Sequence, residues 1–355
     1  MAMLTIPHVA VRGMAACVPP QTEATRDIEF YNTLDEAIQV ESATGVIRKH
    51  IVKDSGITAA DLCIRAAECL LEDLGWERDS IDLLVNVTQT PDYINHPNVF
   101  VAHERLGLKK DCMSLDLYHG CPGWVVGMMS ATSLLSYGSM RRCLLLDGDI
   151  ISSMQWALDH ESRPLFGDCG TATALEFDET AAPIFFDTGT NSADGKALIH
   201  EHGGWRNPYT LESLKKELGM RSGKLRPSEN AMDGMSVFSF GISTPPKSIK
   251  KLCDAHNIDL ADIDKLVLHQ ANLFMVQKIA KKLKVEEDRV PVSLGEYGNT
   301  TSATIPLTIV SECAKEYRTK PMRTVACGFG TGLAWASVYM ETNHLIIPDV
   351  LVYKL

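Results

Sequence analysis

Apolar residues along the chain follow two spacings, one typical of helices and one typical of short buried strands. Residues 59–75, "AADLCIRAAECLLEDLG", carry apolar side chains at helical intervals, and Thr58 with Asp61 forms a capping-box-like start. The apolar run "SIDLLV", residues 80–85, predicts a strand after this helix. A second helix-like run, "CPGWVVGMMSATSLLSYG", comes before a second strand, "MRRCLLLDG". This alternation predicts an α/β fold with helices covering sheets.

The same pattern returns half a chain later. The run "DIDKLV" matches "SIDLLV", so that Ile263 is equivalent to Ile81, and "MRTVACGFG" matches "MRRCLLLDG", so that Met322 is equivalent to Met140. Both matches have the offset of 182 residues. Two matches in the same order at one offset indicate an internal duplication.

Helix-like runs frame the second copy as they frame the first. One run, "PPKSIKKLCDAHNI", is predicted to be a helix with Pro246 near its start, and another follows at residues 300–317. The pattern breaks near residues 180–190. We therefore predict an N-terminal half at residues 1–185 and a C-terminal half at residues 186–355, packed as one body about a pseudo-twofold axis.

The composition and net charge disfavour some classes of protein and leave the predicted fold unchanged. Apolar residues make up 45% of the chain and the net charge is -11, which disfavours an overall basic nucleic-acid-binding protein. No apolar window long enough to span a membrane occurs, so no membrane association is predicted. The ten cysteines are scattered singly without a CxxC pair, which indicates reduced thiols and a cytoplasmic location.

Two local patterns suggest cofactors and are rejected. The run "HEH" at residues 200–202 could ligate a metal, but without a third placed ligand no metal site is predicted. The cluster "CGFGTGLAW" superficially resembles a dinucleotide fingerprint, but no βαβ unit follows it. We predict no cofactor. A glycine-rich turn of this kind also allows a backbone N–H to approach a reacting oxygen.

The stretch "DLYHGCPGWVVGMM" is the strongest candidate for chemistry. Cys121 stands between Gly120 and Pro122 where an apolar helix begins. A helix N-terminus carries partial positive charge, which favours a thiolate and should lower the cysteine pKa from about 8.5 towards neutrality. Cys121 is therefore a candidate nucleophile. The alternative is a buried structural cysteine in front of a glycine-rich helix.

The duplication predicts partners for Cys121. The Cys121 helix should meet its counterpart, which begins near "YGNTTSA", and the end of a repeated strand carries "HQAN". Cys121, His269 and Asn299 are therefore predicted to lie in one site. Taken singly, His269 could be a satisfied core histidine and Asn299 a helix cap. The specific signal is the set of three.

These residues belong to a series of motifs that resembles β-ketoacyl-acyl-carrier-protein synthase III, a family of the thiolase superfamily. The resemblance covers nearly the whole chain. It implies a thiolase-like five-layered αβαβα fold, a homodimer and a Cys–His–Asn catalytic site. The motifs, in order, are "TGVIRKH", "TQTPD", "HGCPGW", "LFGDCGTA", "MDGMSVFSFG", "HQANLFM", "YGNTTSATIP" and "GFGTGLAW".

The resemblance implies an acyltransferase that carries out decarboxylative Claisen condensation. Cys121 would take an acyl group from an acyl-CoA or acyl-carrier-protein donor. His269 and Asn299 would bind the malonyl thioester of malonyl-acyl-carrier protein, and the backbone N–H groups of Cys121 and Thr331 would form the oxyanion hole. The product would be a β-ketoacyl thioester. Positions that match the acyl channel of relatives are Phe166, Met232, Gly234 and Phe238.

Three departures from the family pattern bear on the partners. Relatives that use acyl-CoA often have a Trp and an Arg that grip the adenine, where this chain has Ala37 and Ala43. Phe274 replaces a frequent basic residue, and Pro122 follows the nucleophile where Ala or Ser is usual. These changes favour a dedicated lipid or secondary pathway. Carrier-protein docking would then depend on the lysines of "KIAKKLK", namely Lys278, Lys281, Lys282 and Lys284, which could also be a solvated helix face.

Two other functions remain open at this point. One is a Cys121-dependent acyltransferase to an oxygen or nitrogen nucleophile without decarboxylation. The other is a non-catalytic subunit that binds acyl chains. Retention of both His269 and Asn299 favours condensation, and retention of Cys121 disfavours the non-catalytic subunit. The acyl chain length is not predicted.

Overall fold

The computed structural model describes residues 2–29, 31–155, 160, 162–200, 203–208, 210, 220–221, 224–225 and 230–354. Its strands are β1 (Ala2–Ile6), β2 (Val9–Val18), β3 (Thr22–Ala24), β4 (Arg48–His50), β5 (Leu83–Val87), β6 (Met113–Leu117), β7 (Arg142–Asp149), β8 (Cys169–Phe177), β9 (Ile184–Thr190), β10 (Leu198–His200), β11 (Met220–Arg221), β12 (Lys224–Leu225), β13 (Asn230–Met232), β14 (Lys265–Leu268), β15 (Pro321–Gly330), β16 (Ala334–Asn343) and β17 (Leu351–Val352). Its helices are α1 (Leu34–Thr44), α2 (Ala59–Leu74), α3 (Asn98–Leu106), α4 (Gly123–Leu135), α5 (Gly234–His256), α6 (Leu273–Leu283), α7 (Leu294–Tyr297), α8 (Thr304–Glu312) and α9 (Ala314–Thr319).

Two large sheets repeat one arrangement. The first has the strand order β17-β2-β8-β7-β5-β6, and the second has the order β1-β9-β16-β15-β14. In the first, β5 is parallel to β7 and β7 is antiparallel to β8; in the second, β14 is parallel to β15 and β15 is antiparallel to β16. Strand β5 starts at Leu83 and β14 at Lys265, which is the predicted offset. The internal duplication is therefore confirmed.

The two ends of the chain each join the sheet of the opposite half. Strand β1 pairs with β9 in the second sheet, and β17 pairs with β2 in the first. The boundary between residues 1–185 and 186–355 falls inside β9 and stays a prediction.

Helices and sheets alternate in five layers. One apolar core lies between the two sheets and contains α4 and α8. A second core joins α2 and α3 to the outer face of the first sheet, and a third joins α5 and α6 to the outer face of the second. The order helix, sheet, helix, sheet, helix confirms the predicted five-layered αβαβα fold. Representative buried side chains of the central layer are Trp124, Met128, Ile305 and Ile309.

Helix α5 begins twelve residues before the predicted start at Pro246, so that prediction is wrong. The start is set by Asp233, whose carboxylate accepts hydrogen bonds from the backbone N–H groups of Met235 and Ser236, both at 3.1 Å. Pro245 and Pro246 are buried inside the helix. A proline removes a helical hydrogen bond, and here the helix continues through two prolines whose rings are excluded from solvent.

Parallel strands bring their carboxyl ends to one edge of a sheet. The ends of β5, β7, β14 and β15 lead to Thr88, Asp149, His269 and Gly330. These residues belong to the two sheets that sandwich α4 and α8, so the strand ends deliver polar groups to the first turns of both helices. Among the described residues, no helix combines the length and apolarity that crossing a lipid bilayer requires.

Candidate active site

Cys121 sits in a tight elbow between β6 and α4. The N–H of Gly123 donates to the carbonyl of Gly120 at 2.6 Å, which closes the turn around the cysteine. A methyl group added to Gly123 would lie 2.7 Å from a Val87 methyl carbon, so only glycine lets the helix approach β5 this closely. Cys121 is 6% exposed. The elbow therefore presents a buried thiol directly before the first turn of α4.

His269 follows β14 and is held at three points. Its backbone N–H donates to the carbonyl of Cys327 at 2.9 Å, and its ring lies edge-on to Phe329 with centroids 5.4 Å apart. Its Nδ1 lies 2.8 Å from the Oγ1 of Thr304, in the first turn of α8. The imidazole is buried. Its Nδ1 edge is therefore turned towards α8.

Asn299 is held by its backbone and by its side-chain oxygen. Its N–H donates to the carbonyl of Leu165 at 2.8 Å, and its carbonyl accepts from the N–H of Gly167 at 3.1 Å. Its Oδ1 accepts from the N–H of Thr301 at 2.9 Å. Because the oxygen is engaged, the amide nitrogen is the end of this buried side chain that can donate to a ligand.

The last residues of β15 contact two of these three residues. Cys327 bonds to His269, and a methyl group added to Gly330 would lie 2.6 Å from the Cys121 Sγ. The first turn of α4 also touches the segment after Asn299, since a methyl group on Gly123 would lie 3.0 Å from the Ser302 Cβ. The structure thus brings together Cys121, His269 and Asn299, as the duplication predicts. What each side chain does in a reaction stays a prediction.

Burial raises the pKa of the Cys121 thiol to about 11. The backbone N–H and the hydroxyl of Thr331 both hydrogen-bond the sulfur and act in the opposite direction, as does the N–H of Cys121 itself. The sequence predicts a lowered pKa from the helix N-terminus alone, and that prediction is wrong. Burial destabilises the thiolate by more than these hydrogen bonds stabilise it. The resting group at neutral pH is therefore the thiol.

Burial lowers the pKa of His269 to about 3, while a hydrogen bond to the backbone of Thr301 acts the other way. The imidazole is therefore neutral throughout the physiological range. A neutral imidazole can donate one hydrogen bond without bringing a positive charge into the site.

The two amides that the resemblance implies as an oxyanion hole converge on one atom. The N–H groups of Cys121 and Thr331 both reach the Cys121 sulfur, where a bound acyl group would begin. Thr331 lies between Gly330 and Gly332, which have φ of 156° and 137°. These values are open to glycine, and they allow the turn to lie directly against the thiol.

The predicted acyl-channel residues are placed in different surroundings. Phe166 forms an isolated parallel bridge with Asn299 and is half-buried, so it borders the site. Phe238 stacks on Phe274 at 5.7 Å between centroids, and Gly234 is exposed at the start of α5. The side chain of Met232 lies outside the described residues. Their role as a channel stays a prediction.

The four lysines of the docking prediction are all exposed on α6 or directly after it. An open groove of about 560 Å³ is lined by Phe274, Lys278, Lys281 and Lys284, among others. The Lys278 ammonium lies 4.8 Å above the Phe274 ring, a cation–π contact that holds both groups at the surface.

Ala37 and Ala43 lie on α1, and neither can grip an adenine. Ala37 is buried and Ala43 is exposed, and α1 ends at Gly45. Of the rejected metal motif, His200 ends β10, while Glu201 and His202 lie outside the described residues. Among the described residues, no group of three or more His, Cys, Asp or Glu side chains could hold a metal ion.

Sequence reasoning missed two parts of the site. One is the Thr331 hydroxyl, which contacts the nucleophile in addition to the backbone amide. The other is Asp149, a buried carboxylate at the end of β7 that accepts hydrogen bonds from both halves of the chain. The signal for Asp149 was the run "LDGD", in which an apolar strand ends on two acidic residues.

Comparisons with known proteins give one consistent family. The model of 3-oxoacyl-[acyl-carrier-protein] synthase III matches residues 115–192, and its C-terminal model matches residues 253–342. A crystal structure of a 3-oxoacyl-(acyl-carrier-protein) synthase from Burkholderia xenovorans is 34% identical, covers 99% of both chains and superposes with a TM-score of 0.91. The synthase III structure from Pseudomonas aeruginosa is 26% identical over 96% of this chain and 99% of its own, with a TM-score of 0.81. The curated synthase III of Desulfitobacterium hafniense is 29% identical over 336 residues, or 94% of this chain and 97% of the relative.

Proposed function

Since the chain belongs to the 3-oxoacyl-[acyl-carrier-protein] synthase III family, we propose that it joins an acyl group on Cys121 to the malonyl unit of malonyl-acyl-carrier protein, with loss of CO2. The observation that carries the proposal is the convergence of a buried thiol, a neutral buried imidazole and an oriented carboxamide. A β-ketoacyl thioester is the product.

The first step is transfer of the acyl group to Cys121. The sulfur attacks the donor thioester, the carbon–sulfur bond to the donor breaks, and the departing donor thiolate takes the proton that Cys121 loses. The N–H groups of Cys121 and Thr331 stabilise the oxyanion that forms at the acyl carbon. Because the resting group is a thiol, proton transfer accompanies the attack instead of preceding it.

The second step forms the carbon–carbon bond. The malonyl thioester oxygen lies against His269 and Asn299, the bond to the carboxylate breaks, and CO2 leaves with its electron pair left on an enolate. The enolate attacks the acyl carbonyl, and the bond to the Cys121 sulfur breaks. The sulfur then takes a proton from solvent, which restores the thiol.

When its hydroxyl donates to His269, Thr304 sets the imidazole tautomer that this step requires. Its hydroxyl can donate either to the Thr301 carbonyl, at 2.9 Å, or to the His269 Nδ1, at 2.8 Å. When it donates to Nδ1, the ring proton is on Nε2, where it can be given to the enolate oxygen. A neutral imidazole and the Asn299 amide then stabilise the enolate in a dry site.

The proposal is tested by intact mass. The protein is incubated separately with short and medium acyl-CoA and acyl-carrier-protein donors, and the added mass is mapped by peptide analysis. An acyl group on Cys121 that is lost on addition of malonyl-carrier protein, with release of CO2, supports the condensing enzyme. Transfer of the acyl group to an oxygen or nitrogen acceptor without CO2 release would identify an acyltransferase instead. No adduct from any donor would contradict the proposal.

The lysines of α6 support docking of an acidic carrier protein, and Ala37 and Ala43 favour a carrier protein over CoA as the acyl donor. Charge reversal at Lys278 and Lys281 (Lys278→Glu with Lys281→Glu) should raise the KM for malonyl-carrier protein about tenfold, because exposed charge pairs mainly set encounter and docking. The kcat should change little. Both constants are measured at low and physiological salt.

The matched control reverses two exposed lysines elsewhere. Lys315 lies on α9 and Lys320 lies directly after it. Helix α9 follows the C-terminal end of α8, whereas Asn299 lies before the N-terminal end of α8. Lys315→Glu with Lys320→Glu alters net charge equally and should leave the KM unchanged. Equal effects of the two double variants would show that only net charge matters and would refute docking on α6.

A homodimer is the proposed assembly. Strand β6 is the edge of the first sheet, and Met113 at its start and Tyr118 just after it are 42% and 79% exposed. An exposed edge of this kind is a template for pairing with a second copy. Sedimentation velocity at micromolar concentration should give a dimer, and a monomer would contradict it. We place the protein in the cytoplasm, which fits ten free cysteines.

A further inference from the structure

We propose that Asp149 is a positioning residue that fixes Cys121, His269 and Asn299 relative to one another by binding a loop from each half of the chain. The proposal rests on the condensation proposed above. It concerns a side chain that takes no part in the bond changes.

The Asp149 carboxylate lies fully buried at the end of β7 and collects donors on both oxygens. Oδ1 accepts from the hydroxyls of Thr88 at 3.1 Å and Thr90 at 3.4 Å and from the N–H of Gln89 at 2.6 Å. Oδ2 accepts from the Gln89 amide at 3.2 Å, from the Ser302 hydroxyl at 3.3 Å and from the Thr301 hydroxyl. A neutral side chain could not accept from so many donors, so the cluster is built around an acceptor-only group.

One set of donors leads to His269 and Asn299. Thr301 donates its hydroxyl to Asp149 and its N–H to the Asn299 Oδ1. Its carbonyl oxygen lies 2.9 Å from the Thr304 Oγ1, and that hydroxyl also lies 2.8 Å from the His269 Nδ1. Thr301 therefore contacts Asn299 directly and reaches His269 through Thr304. Asn299 and His269 are the two residues that would bind the malonyl thioester.

Thr301 also has an unfavourable backbone. Its φ is 54°, in the left-handed region that β-branched residues rarely adopt. Such a conformation persists only where surrounding contacts hold it. The hydroxyl bond to Asp149 is a contact that anchors this residue to the opposite half of the chain.

The other set of donors leads to Cys121. Gln89 gives both its N–H and its side-chain amide to Asp149, so that its remaining oxygen is directed elsewhere. That Oε1 would lie 3.0 Å from a methyl group placed on Gly120, the residue before the nucleophile. Gln89 therefore packs against the elbow while Asp149 holds it.

Asp149 also acts on Cys121 through its charge. Burial raises the pKa of Asp149 itself, and the hydrogen bonds from Thr301, Gln89 and Thr88 oppose that rise. Burial is the main cause that raises the pKa of Cys121, and the Asp149 charge adds to the rise. Besides Cys121, the titratable groups whose pKa values respond to this charge are Cys63 on α2, Tyr118 before the elbow and Asp147 two residues earlier on β7. Each of these is neutral or acidic, so Asp149 is balanced by hydrogen bonds in place of a cation.

The positioning role and the charge effect predict changes of opposite sign when Asp149 is replaced by Asn. The thiol of Cys121 should become easier to ionise, and condensation should become slower. Asp149→Asn keeps the shape but removes the charge and one acceptor. The pH midpoint for alkylation of Cys121 by iodoacetamide should move down by about one unit, because a like charge near the thiolate is lost. Single-turnover condensation of the acyl-enzyme with malonyl-carrier protein should fall about 100-fold, while acylation of Cys121 changes by less than about fivefold.

A second variant separates the two loops. Thr301→Val keeps the shape and the backbone N–H but removes the hydroxyl that reaches Asp149. Condensation should fall about tenfold with no change in the alkylation midpoint. Because valine is nearly isosteric with threonine, this variant tests the proposal even where Asp149→Asn does not fold.

Asp147→Asn is the matched control. Asp147 is equally buried on β7, and the side-chain hydrogen bond that acts on its pKa comes from Ser302 and not from Gln89 or Thr301. Its variant should keep the ratio of the two half-reactions. Equal losses of acylation and condensation in Asp149→Asn would overturn the positioning role, and an unchanged alkylation midpoint would exclude the effect of the Asp149 charge on Cys121. Alkylation of Cys121 needs no malonyl substrate. Its pH midpoint therefore reports the effect of Asp149 on the thiol even if the wild-type protein does not condense.

Discussion

Cys121→Ala should abolish the acyl-enzyme and reduce β-ketoacyl formation on the order of 10⁴-fold or more, because the covalent intermediate has no other nucleophile. The structure makes the effect specific. The backbone N–H groups of Cys121 and Thr331 both hydrogen-bond the Cys121 sulfur, so a neighbouring thiol would lack these donors. Intact mass after incubation with donor, followed by a coupled assay for CO2, measures both losses.

The control for this substitution is Cys69→Ala. Cys69 is the partly exposed cysteine among ten, and the others are buried. It is therefore the thiol most open to adventitious acylation. The control variant should retain the acyl adduct and the activity. An adduct that survives in Cys121→Ala and disappears in Cys69→Ala would remove Cys121 from the mechanism.

His269→Ala should leave acylation intact and slow condensation on the order of 10³-fold, which is typical of the loss of one donor to a developing oxyanion. The Thr304 hydroxyl would then face a cavity. Preloaded acyl-enzyme is mixed with malonyl-carrier protein, and loss of the adduct is followed by mass. A variant that condenses at the wild-type rate would exclude His269 from enolate binding.

The low pKa of His269 adds a pH test of the same role. A histidine with an ordinary pKa would protonate as pH falls through 6.5, and condensation would fall with it. Burial lowers the pKa of His269 to about 3, so the imidazole stays neutral down to about that pH. Single-turnover condensation in the wild type should therefore show no loss with a midpoint near 6.5 between pH 5 and 8. Such a loss would contradict the buried neutral imidazole.

The proximity of Cys121, His269 and Asn299 could be predicted from the chain because a duplication relates equivalent elements in space. The offset of 182 residues makes the start of α4 equivalent to the segment after Asn299, and His269 ends a repeated strand. Equivalent elements in a duplicated fold meet near the axis. Neither inference needs a side-chain contact, which is why sequence was sufficient.

Predictions failed where long-range contacts decide the outcome. A helix N-terminus next to Cys121 is visible in sequence, but the degree of burial that raises its pKa is not. Pro246 is a local signal for a helix start, and the cap at Asp233 overrides it. The hydrogen bonds of Asp149 come from donors up to 153 residues away in the chain, and no local pattern encodes such partners.

The exchange of edge strands between the halves has a consequence for the order of folding. Strand β1 comprises residues 2–6, yet its partner β9 begins at Ile184, and the first sheet receives β17 only at residues 351–352. Neither sheet can reach its full width before strands from both halves have been synthesised. During translation the outer strands of each half are left without neighbours, and exposed strand edges recruit other chains. Full protection of both sheet edges therefore requires strands from both halves, which makes β17 a closing element for the sheet of the N-terminal half.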